Sequence, residues 1–356
     1  MTTRAGNGSA DDRGGEPRLS DRQRDVLRAA VRAYVGEAAP IASNHIAHLL
    51  PKKLSSASIR ATLAELDEMG LVQQPHASAG RVPTEEGLRH FIDCLLDPGD
   101  VAEYDRRTMD FEVETVEGDA VLAVATQLLS ERTRLLGFAV APRLERVRLQ
   151  HVSLVRLGSG RVLAVLISTT GAAYRRTLDA DPSLDQRDLD LAATLLNQRV
   201  VGRTLREVRD SLRREAAALR QEADRLLRFA LELGVRAAAA QQDEVDVVVA
   251  TRLALLDQPE YRDPRRLREV FETLETRERL ADIVEEMLGE EGVQVVLGGE
   301  VGDPALSHCA VVAARYGEAM SPLGAVGVIG PLRMDYSRVI PLVAYCSRVM
   351  TDKLLA

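Results

Sequence analysis

Apolar positions recur at helical spacing in separate short runs at the start of the chain. In LSDRQRDVLRAAVRAYVGEAAP, Val26, Leu27, Ala30, Val31, Tyr34 and Val35 share one face, which predicts a three-turn amphipathic helix. Ser20 and Gln23 have the S-x-x-Q spacing with which two side chains satisfy the free amides of a helix start, and Pro40 follows the end. A short second helix is predicted from Ser43 to just before Pro51. The third spans Ser55 to Met69, SSASIRATLAELDEM, and stops at Gly70, a residue suited to the left-handed position after a helix. LVQQ, the turn-forming PHASAGR and RVP follow. A fourth helix then starts at Thr84 as cap, with Glu85 and Glu86 favourable in its first turn and Leu88, Phe91, Ile92, Leu95 and Leu96 as its apolar stripe. Three short helices, a hairpin and another helix are the order of a winged helix-turn-helix, closed by the turn DPGD at Asp97–Asp100.

Beyond that turn the period changes. VLAVATQLLSERTRLLGFAV reads as a helix running into a strand, and LQHVSLVRL, RVLAVLIST and AAYRRTL read as an antiparallel meander split by GSG and TTG. A long helical region is expected from about Asp185 to Gln242, with VDVVVA and VQVVLGG as strands after it. HCAVVAARY and GAVGVIG return to strand character, and DYSRVIPLVAYCSRVMTDKL closes the chain as a helix. Strands, a helical insertion and strands again predict an α+β multidomain protein in which one α/β domain is interrupted by another. The glycines of LGGEVGDP and GVIGP lack phosphate-loop or dinucleotide-binding spacing and read as turns between strands.

Composition narrows the function classes. A chain of 356 residues predicts two or three domains, and Met1–Pro17, rich in Gly, Asp and Arg, predicts a disordered tail rather than a leader. The net charge of −8 gives no global attraction to nucleic acid or to anionic lipid. Residues 18–96 carry ten Lys and Arg against nine Asp and Glu, so any nucleic-acid surface there rests on local placement. No apolar run approaches the ~20 residues that span a bilayer, so a cytoplasmic protein away from membranes is expected. Cys94, Cys309 and Cys346 match no metal-ligand spacing and read as buried or incidental thiols. His45 and His48 stand three apart without a third ligand of matching character, and no cofactor, metal or catalytic constellation is expected.

The third helix holds the candidate chemistry. At 100° per residue, Ile59, Leu63 and Leu66 face the core, while Ala57, Ser58, Arg60, Ala61, Ala64, Glu65 and Glu68 face outward. Small, polar and positive residues gather at the N-terminal half and acid at the other, which suits a helix whose N-terminal end enters the major groove. The expected DNA-binding residues are Lys52 and Lys53 for phosphates, then Ser55, Ser56, Ser58, Arg60 and Thr62 on or beside the helix, and His76, Ser78 and Arg81 on the wing. Arg60 suits a guanine edge, and Ala57 and Ala61 permit close approach to a thymine methyl. The bland alternative is an ordinary solvated helix on a protein-docking module.

The strings LSDRQRDVLRAAVRAYV, SSASIRATLAELDEMGLVQQPHASAGRVPTEEGLRHFID and GAVGVIGPLRMDYSRVIPLVAY together resemble the heat-inducible transcription repressor family HrcA. The resemblance implies a homodimeric repressor acting on double-stranded DNA, with a winged-helix domain at 18–96. It also implies a GAF-like domain in two segments, 101–181 and 304–356, and a dimerising domain inserted at 182–303. Its operator would be the inverted repeat called CIRCE, upstream of chaperone genes, and the chaperonin would modulate repression. Two positions depart from the family pattern: Ala61, where a polar residue such as asparagine is common, and Ala77, where PHTSAGR is common. A metabolite-responsive regulator that senses a small ligand through the GAF-like domain is the second reading. An enzyme built on the C-terminal domain is the third, and it lacks a reactive cluster.

Overall fold

The computed structural model describes residues 19–50, 54–76, 79–118, 120–141, 147–158, 160–169, 171, 173–218, 234–235, 247–250, 255–256, 258–275, 283–284, 292–318 and 321–355. It divides into two compact units, Met1–Asp97 and Pro98–Ala356. The expected disordered tail and most of the expected helical region beyond Ala218 lie outside the described residues.

In the first unit α1 (Asp21–Glu37) starts at the expected capping box, in which the Gln23 side chain accepts from the Ser20 amide at 2.8 Å. It runs 17 residues, longer than three turns, and Ala29 and Ala33 widen its buried stripe. α2 (Ser43–Leu49) and α3 (Ser56–Glu68) follow. α3 ends in a Schellman motif: Gly70 at φ +74° lets Leu71 N–H reach Leu66 O at 2.9 Å, and both leucines are buried. Strands β1 (Val72–Gln73) and β2 (Val82–Pro83) pair antiparallel, and Ile41 bridges to Arg81 as a third edge. α4 (Glu85–His90) continues into a π-helical turn over Phe91–Leu95, which keeps Leu88, Phe91 and Leu95 in the core. That core also holds Val26, Leu27, Ile46, Ile59 and Leu66, each worth roughly 1.5–3 kcal/mol of burial.

Two glycines are required by close approach. A Cβ on Gly80 would lie 2.3 Å from the Ile41 carbonyl oxygen, and one on Gly87 would lie 1.8 Å from that of Leu71. The wing can fold onto the helices only where these positions carry no side chain.

The second unit opens with α5 (Glu103–Glu114), which the apolar pattern did not reveal, and α6 (Ala120–Thr133). The remaining elements of its larger sheet are β3 (Leu136–Val140), β7 (Val247–Val249), β8 (Val293–Leu297), β9 (Cys309–Glu318) and β10 (Ser321–Pro331). Their order is β7-β3-β10-β9-β8, with every neighbour antiparallel. α6 and the closing helix α10 (Tyr336–Leu355) pack against this sheet. A core of Phe138, Val140, Leu255, Tyr261, Val270, Leu306 and Val311 ties it to the segment around α9 (Pro264–Glu275). Gly327 and Gly330 lie inside β10 rather than in the expected turn. A Cβ at Gly327 would meet the Val312 carbonyl oxygen at 2.3 Å, so the glycine serves close packing.

The meander forms as expected: β4 (Leu149–Gly158), β5 (Arg161–Ser168) and β6 (Ala173–Asp179) in that order. It does not join the larger sheet. Val152, Leu154, Ala164 and Leu166 share a core with Leu189, Leu196 and Leu212 of α7 (Gln186–Val200) and α8 (Leu205–Ala218). The expected ranges are therefore regrouped. β4–β6 separate from the segment 101–181 and join the helices after them, while β7 and β8, inside the expected insertion 182–303, belong to the larger sheet. Strand alternation records which face is buried and carries nothing about which distant strand is the partner.

Candidate nucleic-acid interface

The face of α3 is set by its anchors. Ile59, Leu63 and Leu66 turn inward as the helical period requires, and Glu65 is held to the start of α1 by Gln23 Nε2 at 2.9 Å and Arg22 at 3.3 Å. Ser55 caps the helix, accepting from the Ser58 amide at 3.1 Å. The exposed stripe is Ala57, Arg60, Ala61, Ala64 and Glu68.

Thr62 is not on that stripe. It is 0% exposed, and its hydroxyl donates to the Ser58 carbonyl at 3.1 Å. A position two residues past Arg60 falls 200° around the helix, so the expectation that Thr62 contacts DNA is corrected. Ser58 is half-buried, as is Ser56, whose Oγ lies 3.2 Å from Ser43 Oγ on α2. Arg60 is exposed and donates from Nε to Ser43 Oγ at 3.3 Å. Among the described residues, Arg60 is the one long polar side chain on the exposed face of the first two turns.

The wing is tied to α3 rather than loosely appended. The Arg81 backbone exchanges hydrogen bonds with Ile41 at 2.9 and 3.0 Å, and its guanidinium sits 3.1 Å from Asp67 Oδ2 with the side chain only 19% exposed. Arg81, expected to contact DNA from the wing, has its guanidinium engaged by Asp67, and this pair fixes the wing against the far end of the helix. Gln74 Nε2 closes the hairpin on Ala79 O at 2.9 Å, and the Ala79 amide donates to His76 O at 2.9 Å. The His76 side chain is exposed at the tip. Lys52, Lys53, Ala77 and Ser78 lie outside the described residues.

The residues that sequence reasoning missed are Ser43 and Asp67. Both act through contacts between separate elements, α2 to α3 and α3 to wing, for which a single sequence carries no periodic signal. His45 does not point to a partner histidine; its Nδ1 lies 3.0 Å from Glu37 Oε1.

The second unit offers polar clusters with structural roles. Burial pushes the Cys309 thiol up to about 11, and it lies 3.1 Å from the Tyr261 hydroxyl. That phenol is itself raised by burial and by the neighbouring thiol. Burial also pushes Cys346 up to about 12. Thiols held protonated in this way are poor nucleophiles. Arg333, in the string GPLRMDY, binds Glu260 through two nitrogens and Gln258 Oε1 at 3.1 Å, clamping the end of β10 to the turn at Pro259–Arg262.

Comparison with known proteins agrees with this geometry. Residues 18–92 match the family model described as the winged helix-turn-helix transcription repressor, HrcA DNA-binding, and residues 119–340 match that of the HrcA protein C terminal domain. A heat-inducible transcription repressor HrcA from Sorangium cellulosum is 38% identical over 94% of this chain and 97% of its own length. One from Nitratidesulfovibrio vulgaris is 34% identical over 94% of this chain and 96% of its own. A crystal structure of a hypothetical protein shares the fold with a TM-score of 0.60 at 22% identity, covering 95% of this chain and 99% of that one. On the two family models and the length of these alignments, the chain belongs to the heat-inducible transcription repressor family HrcA.

Proposed function

We propose that this protein is a sequence-specific transcription repressor of heat-shock operons, binding a CIRCE-type inverted repeat as a homodimer in the cytoplasm, with the chaperonin as modulator. The observation that carries this is the exposed stripe of α3. It presents Ala57, Arg60 and Ala61 on its first two turns, with a wing fixed beside it by the Arg81–Asp67 pair. Small residues admit the helix to the major groove, and one arginine is left to read a base edge. Ser55, Ser56 and Ser58 at the helix start and His76 at the wing tip are the proposed phosphate-side contacts, joined by Lys52, Lys53 and Ser78.

An inverted repeat follows from a two-fold dimer, which presents equivalent heads to two half-sites. The open side of β4–β6 supports such pairing. Val155, Leu163, Val165 and Ile167 alternate with the residues buried under α7 and α8, and Val155 is 41% exposed. The five-stranded antiparallel sheet with α6 and α10 against it supports the GAF-like reading of the remaining domain.

Gel-shift titration of the full chain tests the proposal. Inverted-repeat DNA should bind at least about tenfold more tightly than a scrambled repeat, with strong salt dependence. Equal affinity for the two duplexes rules out an operator-specific repressor. Added chaperonin should raise the fraction of protein competent to bind; an unchanged fraction removes the chaperonin from the model.

A further inference from the structure

We propose that Ser43, at the start of α2, is a positioning residue for base reading: it holds the Arg60 guanidinium in the orientation in which it meets the base edge. This rests on the proposed role of Arg60 and deepens it. The Ser43 hydroxyl accepts from Arg60 Nε at 3.3 Å and lies 3.2 Å from Ser56 Oγ, one turn before Arg60 on the same helix. Ser56 is half-buried and its neighbour Ser55 is fixed as the α3 cap, so the hydroxyl pair stands on a rigid base.

The consequence is chemical. A guanidinium can grip the O6 and N7 of guanine either side-on, through Nε and one Nη, or end-on through both Nη atoms. With Nε engaged by Ser43, the end-on fork is the one presented outward. Arginine is rich in rotamers, and ordering it at an interface is costly; a side chain held beforehand loses less on binding. Ser43 sits on a different helix from the residue it orients, so the α2–α3 turn geometry becomes part of the specificity apparatus. α3 has no second long polar side chain on its first two exposed turns, so discrimination concentrates on this one orientation.

The test uses the whole 356-residue chain and two duplexes, a CIRCE-type inverted repeat and its scrambled counterpart. Ser43→Ala should weaken binding to the inverted repeat by roughly three- to tenfold. Its affinity for scrambled DNA, its salt dependence and its melting temperature should stay as in the wild type. Ser43→Thr, which keeps the hydroxyl, should restore discrimination. Ser43→Ala combined with Arg60→Ala should bind no more weakly than Arg60→Ala alone, because an orienting group has nothing left to orient. Unchanged discrimination in Ser43→Ala, equal weakening on both duplexes, or full additivity in the double variant each overturns the proposal. If Arg60→Ala itself leaves discrimination intact, the base-reading role fails and the positioning role falls with it. That result is distinguishable from a silent Ser43→Ala beside an effective Arg60→Ala.

Discussion

Thr62 and Arg60 are two residues apart on one helix and have opposite fates. One hydroxyl is sealed in the core against the Ser58 carbonyl; one guanidinium stands in solvent. Thr62→Val keeps the shape and deletes a weak local hydrogen bond, so stability should change by about 1 kcal/mol or less. Operator affinity should not move in a gel shift; a loss of specific binding without unfolding would return Thr62 to the interface. The cysteines separate in the same way. Cys94 is exposed, while Cys309 and Cys346 are buried with their thiols raised by desolvation. A thiol-reactive dye at pH 8 should label one cysteine quickly and the other two only after denaturant. The linkage has a definite sign. The folded state holds these two thiols above their ordinary value of 9.0, so their contribution is complete below about pH 9 and is lost as pH rises toward 11 and 12. Equilibrium unfolding across that window should show falling stability.

At the scale of elements, side chains that bind backbone or bridge neighbours decide what is rigid. Asp67 holds Arg81 and with it the wing. Asp67→Asn should cost at most about 1 kcal/mol, since the pair is partly solvated. Hydrogen exchange at the wing amides should nevertheless rise, and unchanged protection would mean that the Ile41–Arg81 bridge alone sets the wing. Asn197 plays a comparable part for the meander. Its side chain donates to Val152 O at 2.8 Å and accepts from Val152 N at 2.7 Å, covering the outer edge of β4. Asn197→Leu should destabilise the protein by roughly 1–3 kcal/mol, visible in a denaturant melt, because two strand-edge groups lose their partner. The elements themselves were largely legible in the sequence. α1 declared itself through Ser20 and Gln23, α3 through its apolar period and Gly70, and the meander through alternation around GSG and TTG. α5 was not legible. Only Asp105, Met109 and Val113 are buried on it, and a stripe that thin within a charged run is a weak signal.

For the whole molecule, the arrangement of strands matters most. The segment from β4 to α8 sits between β3 and β7, which pair with each other across more than a hundred residues of chain. That segment carries the apolar sheet face proposed for pairing with a second copy. Val165→Asp should shift the protein toward monomer in sedimentation velocity and weaken binding to the inverted repeat far more than to a single half-site. A dimer that persists would move the contact elsewhere. The sequence by itself determined the winged-helix unit, because its signals are local: caps, a 3.6-residue period, and glycines at turns between adjacent elements. It also determined family membership, through motifs such as PHASAGRVPT and GVIGPLRMDY that survive as contiguous strings. Only the tertiary structure decided which strands share a sheet, that Arg81 is engaged and that Ser43 reaches Arg60. Each of those depends on a contact between segments remote in the chain, and the physics of such contacts lies in packing and register rather than in the period of any one stretch.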